Sequence, residues 1–182
     1  MTTRPRARTL PSVDEVRIFV TVGTELPFDR LVRTVDRWAA ERSLGHSVLA
    51  QVGDTTITPT AMAWSPFIPA QEFRSYFAHA DLVVAHAGMG TIISALRDQR
   101  PLLVMPRRSA LGEHRSDHQY ATATRLAEMG WVDVAMDEHE LPSLLDRPQL
   151  TDRPRVGPFA QDSLISAVRD ELDRLTSGRA SS

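Results

Sequence analysis

Apolar residues follow two spacings along this chain. Short aliphatic and β-branched runs alternate with stretches in which apolar residues recur every three or four positions. The first spacing predicts buried strands and the second amphipathic helices. Val16 to Val22 reads as a first strand. Phe28, Leu31, Val32, Val35, Trp38 and Ala39 mark a helix ending near Ser43. Ser47 to Val52 is a second strand, ended by Gly53 and Asp54 and followed by a threonine-rich loop. Ala63 to Ile68 is expected at a sheet edge, because Pro66 has no N–H for a ladder. A helix from Pro69 turns Phe73, Phe77 and Ala80 inward, and Leu82 to Ala85 is the next strand.

A glycine-bearing turn, His86-Ala-Gly-Met-Gly-Thr91, breaks that run. Ile92, Ile93, Ala95 and Leu96 then recur at helical spacing, so a helix is expected to begin near Thr91. Pro101 closes it, and Leu102 to Met105 is a second buried strand stopped by Pro106. Strand, turn, helix and strand make a βαβ unit. Further on, a helix spans 119–129 with Gly130 as its C-cap, followed by a strand over 131–135, a short helix over 141–145 and an amphipathic helix over 161–176. The alternation predicts an α/β fold, a Rossmann-like parallel sheet flanked by helices. Residues 1–14 read as a loose tail, 15–146 as the domain, and 147–182 as a proline-rich linker with a terminal helix. That helix either packs on its own domain or docks a partner.

Composition narrows the classes. With 182 residues, 42% apolar and 24% charged, the chain has enough material for one α/β core. A net charge of −2 argues against nucleic acid as the main partner. There is no cysteine, so no disulfide framework, thiol nucleophile or thiolate metal site, as fits a cytoplasmic protein. No apolar run is long enough to span a bilayer, and the N-terminus lacks the apolar segment of a signal peptide. Arg4, Arg6 and Arg8 are read as a solvated tail, with contact to anionic lipid as the alternative.

The glycine turn carries candidate chemistry. Gly88 and Gly90 lack a Cβ, which permits positive φ and close approach of a ligand. Thr91 is a natural N-cap residue, and the free N–H groups after it would point outward with the positive end of the helix dipole. That geometry suits a phosphate. His86 could add a donor or a positive charge. The alternative is a tight turn with a capped helix and a buried, hydrogen-bonded histidine. The dinucleotide fingerprint does not fit, because Ile93 stands where a third small residue is needed and Pro106-Arg107-Arg108 where an acid is needed. Walker A is absent, since no Gly-Lys-Ser/Thr occurs. Gly23 and Thr24 sit at the exit of the first strand, where open α/β sheets place ligands.

A second cluster crowds Glu113, His114, Asp117, His118 and Gln119 into seven positions. Three readings stay open. His114 and His118 could bind zinc, although the glutamate of H-E-x-x-H is missing. All could be solvated loop residues. Or they could hydrogen-bond a polyhydroxylated ligand, since Asp and Gln supply acceptors and donors that suit sugar hydroxyls.

Taken in order, Val20-Thr-Val-Gly-Thr24 with Phe28-Asp29, Ala85-His-Ala-Gly-Met-Gly-Thr-Ile92, Pro101-Leu-Leu-Val-Met-Pro106, Asp117-His-Gln119 and the Gly130 turn resemble glycosyltransferase family 28. The resemblance runs from Val16 to about Leu145 and is to the C-terminal, donor-binding half of GT-B enzymes. Within that family it resembles the small stand-alone versions: the catalytic subunit of the dolichol-linked GlcNAc transferase and the small subunits of two-chain bacterial exopolysaccharide transferases.

The resemblance implies a single GT-B half that binds a UDP-sugar, with no cofactor and no metal. By the same resemblance, His86, Gly88, Gly90 and Thr91 contact the diphosphate, Gly23 and Thr24 face it, Met89 belongs to the substrate site, and Asp117, His118 and Gln119 reach the donor sugar. Ser94 stands where larger relatives often carry an acid for the ribose. The implied reaction is inverting transfer, in polysaccharide or glycolipid synthesis, to a lipid-linked acceptor held by a second, membrane-anchored protein. The chain would then be cytoplasmic and recruited to the inner face of the membrane. Glu113 and His114 are the candidate bases. The alternative is a non-catalytic nucleotide-sugar sensor or scaffold. Arg107, Arg108 and Arg115 near the sugar pocket predict a modest preference for UDP-glucuronate, since a guanidinium suits a carboxylate; the alternative is three solvated loop arginines.

Overall fold

The computed structural model describes residues 10–128 and 130–147, together with Ser166 and Asp170. Among these residues six strands form one sheet, in the order β3-β2-β1-β4-β5-β6. The strands are β1 (Ile18–Thr21), β2 (Val48–Gln51), β3 (Ala63–Ser65), β4 (Leu82–His86), β5 (Leu102–Met105) and β6 (Asp133–Val134). Every pairing is parallel. Between them run α1 (Asp29–Glu41), α2 (Ala70–His79), α3 (Met89–Arg97), α4 (His118–Glu128) and, after β6, α5 (Glu140–Leu145). β3 lies at the edge expected from Pro66.

The sheet is buried on both faces, which is why its strands read as unbroken apolar runs. β2, β5 and all but the last residue of β4 are buried. Successive side chains enter opposite layers. Val20, Val84 and Leu103 join α1 and α5 in one core, through Leu31, Val35, Trp38, Leu141 and Leu144. Phe19, Val83 and Val104 join α2, α3 and α4 in the other, through Phe77, Ile92, Ala95 and Leu126. Trp38 also donates its indole N–H to Asp146 at 3.0 Å, which ties the end of α5 to α1.

Several strands are shorter than the sequence reading, β3 and β6 most clearly, and two other boundaries differ in kind. Helix α3 begins at Met89, with Gly88 as its N-cap, so Thr91 lies inside the first turn and caps nothing. The 1–14 tail is structured in its last residues. Leu10 packs on the core, Pro11 accepts a hydrogen bond from Tyr76, and Ser12 with Glu15 forms a capping box on a 3₁₀ turn. The proline-rich linker lies outside the described residues except for Arg147. The terminal helix also lies outside them, apart from Ser166 and Asp170, which are helical.

The strand order places the site. β1 pairs with β2 on one side and with β4 on the other. The connections leaving β1 and β4 therefore run to opposite faces of the sheet and leave a crevice at the strands' carboxyl ends.

Candidate functional site

A cavity of about 690 Å³ fills that crevice. Its floor is the β4–α3 turn. Gly23, Thr24 and Glu25 of the β1–α1 loop line it, as do Arg107, His114, His118 and Gln119 of the segment from β5 into α4.

His86 is the last residue of β4, and its ring lies between two glycines. A Cβ on Gly88 would stand 2.1 Å from Nε2, and one on Gly23 would stand 2.7 Å from Cε1. Neither position can carry a side chain while the imidazole stays where it is. Gly23 has φ +78, so it is glycine for backbone reasons as well. Gly88, in contrast, has φ −90. Its absent side chain makes room for the histidine and gives no conformational freedom. Gly90 differs again. A Cβ there would meet nothing within 4 Å, so the helix start is open towards the cavity.

Among the described residues no side chain caps α3. Gly88 N–H is taken by the His86 carbonyl at 2.8 Å, and the first amide bonded within the helix turn is that of Ile92, to Gly88 at 3.1 Å. The amides of Met89, Gly90 and Thr91 thus stand at the positive end of the dipole beside an open cavity.

His86 does not supply positive charge. Burial holds its pKa down to about 4, and the Arg107 cation pushes the same way. The Thr21 backbone opposes the shift, yet among the described residues no group meets hydrogen-bond geometry with the buried Nδ1. At neutral pH the ring is a neutral imidazole with its Nε2 edge at the glycines.

Among the expected residues, Gly23, Thr24, His86, Gly88, Met89, Gly90, Thr91, Arg107, His118, Gln119 and the candidate base His114 all line this cavity. Ser94, Asp117 and Glu113 do not. Ser94 lies one turn deeper along α3, away from the end that faces the cavity. Asp117 accepts the Ser109 N–H at 2.9 Å, which holds its pKa below the usual carboxylate range. Glu113 is gripped by Arg30 through two bonds of 2.8 Å and also accepts Arg108 N–H at 2.9 Å. A carboxylate bound on both oxygens is no free base, so the candidate base left from this pair is His114. Its Nδ1 lies 3.1 Å from the Ser116 carbonyl, and its Nε2 3.8 Å from Glu25.

The arginine reading also changes. Arg107 is 2% exposed, and its two Nη atoms donate to the carbonyls of Val22, Leu26, Pro27 and Glu113 at 2.6–3.2 Å. Arg108 donates to Met136 O and lies over the Tyr120 ring. Neither Arg108 nor the exposed Arg115 lines the cavity. No guanidinium of the three is available to a sugar carboxylate, so the expected preference for UDP-glucuronate loses its basis. His114 and His118 do share the cavity. Among the described residues, however, no three His, Asp or Glu side chains are arranged to hold a metal.

Sequence reasoning missed the far end of the cavity. Gln51, Phe67, Ile68, Phe73 and Arg74 line it. Gln51 ends β2 and accepts the Ile68 N–H at 2.9 Å, which fixes the chain leaving β3. Phe67 is 65% exposed at the lip. The available signal was position: these residues follow the carboxyl ends of β2 and β3, where α/β ligands collect.

The comparisons with known proteins agree with this fold. The mouse (Mus musculus) UDP-N-acetylglucosamine transferase subunit ALG13 is 32% identical over 123 residues, covering 63% of this chain. The chain spans about 10% of that relative's length. The solution structure of ALG13 superposes with a TM-score of 0.54 at 22% identity, covering 80% of this chain and 90% of that one. The glycotransferase of kitacinnamycin gives a TM-score of 0.57 at 19% identity, covering 93% of this chain and 43% of that one. At such identities the structural likeness shows the fold, the Rossmann-like half of a GT-B enzyme. Residues 17–155 match the glycosyltransferase family 28 C-terminal domain, and the chain belongs to that family.

Proposed function

We propose that the chain is the donor-binding catalytic subunit of a heteromeric, inverting glycosyltransferase that uses a UDP-sugar. The observation that carries this reading is the start of α3. It is a helix N-terminus without a side-chain cap, opening on a cavity of about 690 Å³ beside a neutral histidine. A diphosphate supplies the missing acceptors. The amides of Met89, Gly90 and Thr91 and the Nε2 edge of His86 would hold its oxygens. Phe67, Ile68 and Phe73 offer an apolar end for the uracil ring. Gln119 accepts the Arg107 N–H through Oε1 at 3.3 Å, which turns its amide NH₂ towards the sugar.

In the reaction, an acceptor hydroxyl forms its bond to the sugar's anomeric carbon as the bond to the diphosphate breaks. Negative charge then builds on the diphosphate, where the helix amides and His86 stabilise it without reorganising. His114 is the residue on this chain placed to take the acceptor's proton. The name of the mouse relative, a transferase subunit, supports a partner chain. That partner would carry the acceptor half and the membrane anchor, and would bring this cytoplasmic chain to the inner face of the membrane. The reading requires neither metal nor cofactor, and the acceptor is a lipid-linked glycan precursor. A non-catalytic sensor or scaffold would use the same cavity without transfer.

Titration calorimetry with UDP, UDP-GlcNAc and UDP-glucose tests donor binding, which is expected at one site per chain. Absence of heat with all three, with and without the partner, refutes the reading. Sugar transfer in the complex then separates subunit from scaffold. Transfer that survives both His86→Ala and Gln119→Ala makes the chain a scaffold.

A further inference from the structure

Arg107 presents an energetic puzzle. Its guanidinium is buried, and four backbone carbonyls from two loops accept its Nη–H groups. The Phe28 ring lies 4.7 Å from Cζ. No carboxylate among the described residues forms an ion pair with it. Glu25 and Glu113 favour its charged form only at longer range, and burial outweighs them. Neutral carbonyls satisfy the donors but do not neutralise the charge. A buried cation is unfavourable unless an opposite charge comes to it. A neutral amide side chain could bind carbonyls here without that cost.

The residue also lines the cavity, in the wall beside His86, whose own charging it disfavours. Of these two neighbours, the one that carries positive charge is therefore Arg107 and not the histidine. Its opposite charge has a place to bind, at the uncapped start of α3.

We infer that Arg107 is the electrostatic anchor of the diphosphate: it fastens the 22–27 loop to the 107–113 segment beside the cavity and sets a fixed positive charge near the helix N-terminus. The inference rests on the UDP-sugar reading and deepens it. It assigns to a residue that never grips the ligand directly the difference in affinity between a nucleoside diphosphate and a nucleoside.

Calorimetric affinities for UDP and for uridine are compared in the full chain, in Arg107→Met and in Arg107→Lys. Backbone amide exchange is followed across 22–27 and 107–113. The Met variant should lose about tenfold in the UDP-to-uridine affinity ratio, a loss of about 1.4 kcal/mol. The Lys variant, which keeps the charge but not the planar fork, should hold most of that ratio while exchange in both loops speeds up. A ratio unchanged in the Met variant, or lowered equally in both variants, overturns the inference and leaves Arg107 a structural pin. Wild-type chain that binds neither UDP nor uridine overturns the donor reading itself, which is a separate result. If a variant fails to fold, the wild-type chain labelled at its arginine side-chain nitrogens decides. UDP but not uridine should move the Arg107 guanidinium resonances, and identical responses to both overturn the assignment.

Discussion

Three glycines and one histidine carry the site, and each glycine has a different reason to lack a side chain. At Gly88 an alanine would place its Cβ 2.1 Å from His86 Nε2. We predict that Gly88→Ala costs about 1–3 kcal/mol of stability, as overpacking does, and displaces the imidazole. At Gly90 an alanine meets nothing within 4 Å. Its Cβ tilts towards the helix N-terminus, into the place proposed for the diphosphate. Gly90→Ala should therefore leave stability unchanged or raise it by up to about 1 kcal/mol, while UDP affinity falls. Chemical denaturation and calorimetry on the same sample check both halves. A loss of stability with intact affinity would contradict the assignment.

His86 gives a pH signature with a definite sign. Its folded-state pKa, about 4, lies below the ordinary value of 6.5. The folded state thus binds fewer protons than the unfolded state between those values. This contribution to stability is complete above pH 6.5 and is lost as pH falls towards 4. The full effect is about 3 kcal/mol. Denaturation curves of the wild type and His86→Asn, compared from pH 7.5 to 4, should converge by about that amount. Parallel curves would mean that the ring is not held neutral. The sequence placed His86 at the site but could not show its charge, because neutrality comes from burial and from Arg107, which lies 21 positions away.

At the scale of elements, the loop between β5 and α4 was the hardest part to read. Its acids and bases looked like chemistry, and the structure divides them between site and scaffold. Arg30, on α1, donates to both oxygens of Glu113, to Glu138 and to the Pro106 carbonyl, with Arg30 and Glu113 side chains each 11% exposed. This joins three segments that are far apart in sequence. No local pattern signals such a clamp, because its partners are 83 and 108 residues from Arg30. Glu113→Gln should cost about 3 kcal/mol, the usual consequence of unpairing a buried ion. A double-mutant cycle with Arg30→Met should return a coupling of at least about 1 kcal/mol. If Glu113 were instead a free base, the substitution would abolish transfer and leave stability intact. The start of α3 was misplaced for a local reason. Thr91 has the chemistry of a cap, but the chain turns at Gly88 so that the His86 ring can fit, and the helix is under way before the threonine is reached.

At the scale of the whole molecule, the alternation of strands and helices made the fold class readable, and Pro66 located the sheet edge. The strand order was not readable from periodicity. It depends on which buried strands pair, and strands buried on both faces look alike in sequence. The order sets β1 beside β4 and brings Gly23 against His86. It also explains the residues that were missed: Gln51, Phe67 and Arg74 enter the cavity only because β2 and β3 end on its side. The central claim is that a nucleoside diphosphate caps α3. Amide resonances of the full chain, followed as UDP is added, test it most directly. The account predicts that the largest shifts fall on Met89, Gly90 and Thr91, with Gly23 and Thr24 next. Saturating UDP that leaves those amides unmoved, or moves only residues outside the cavity, would contradict it.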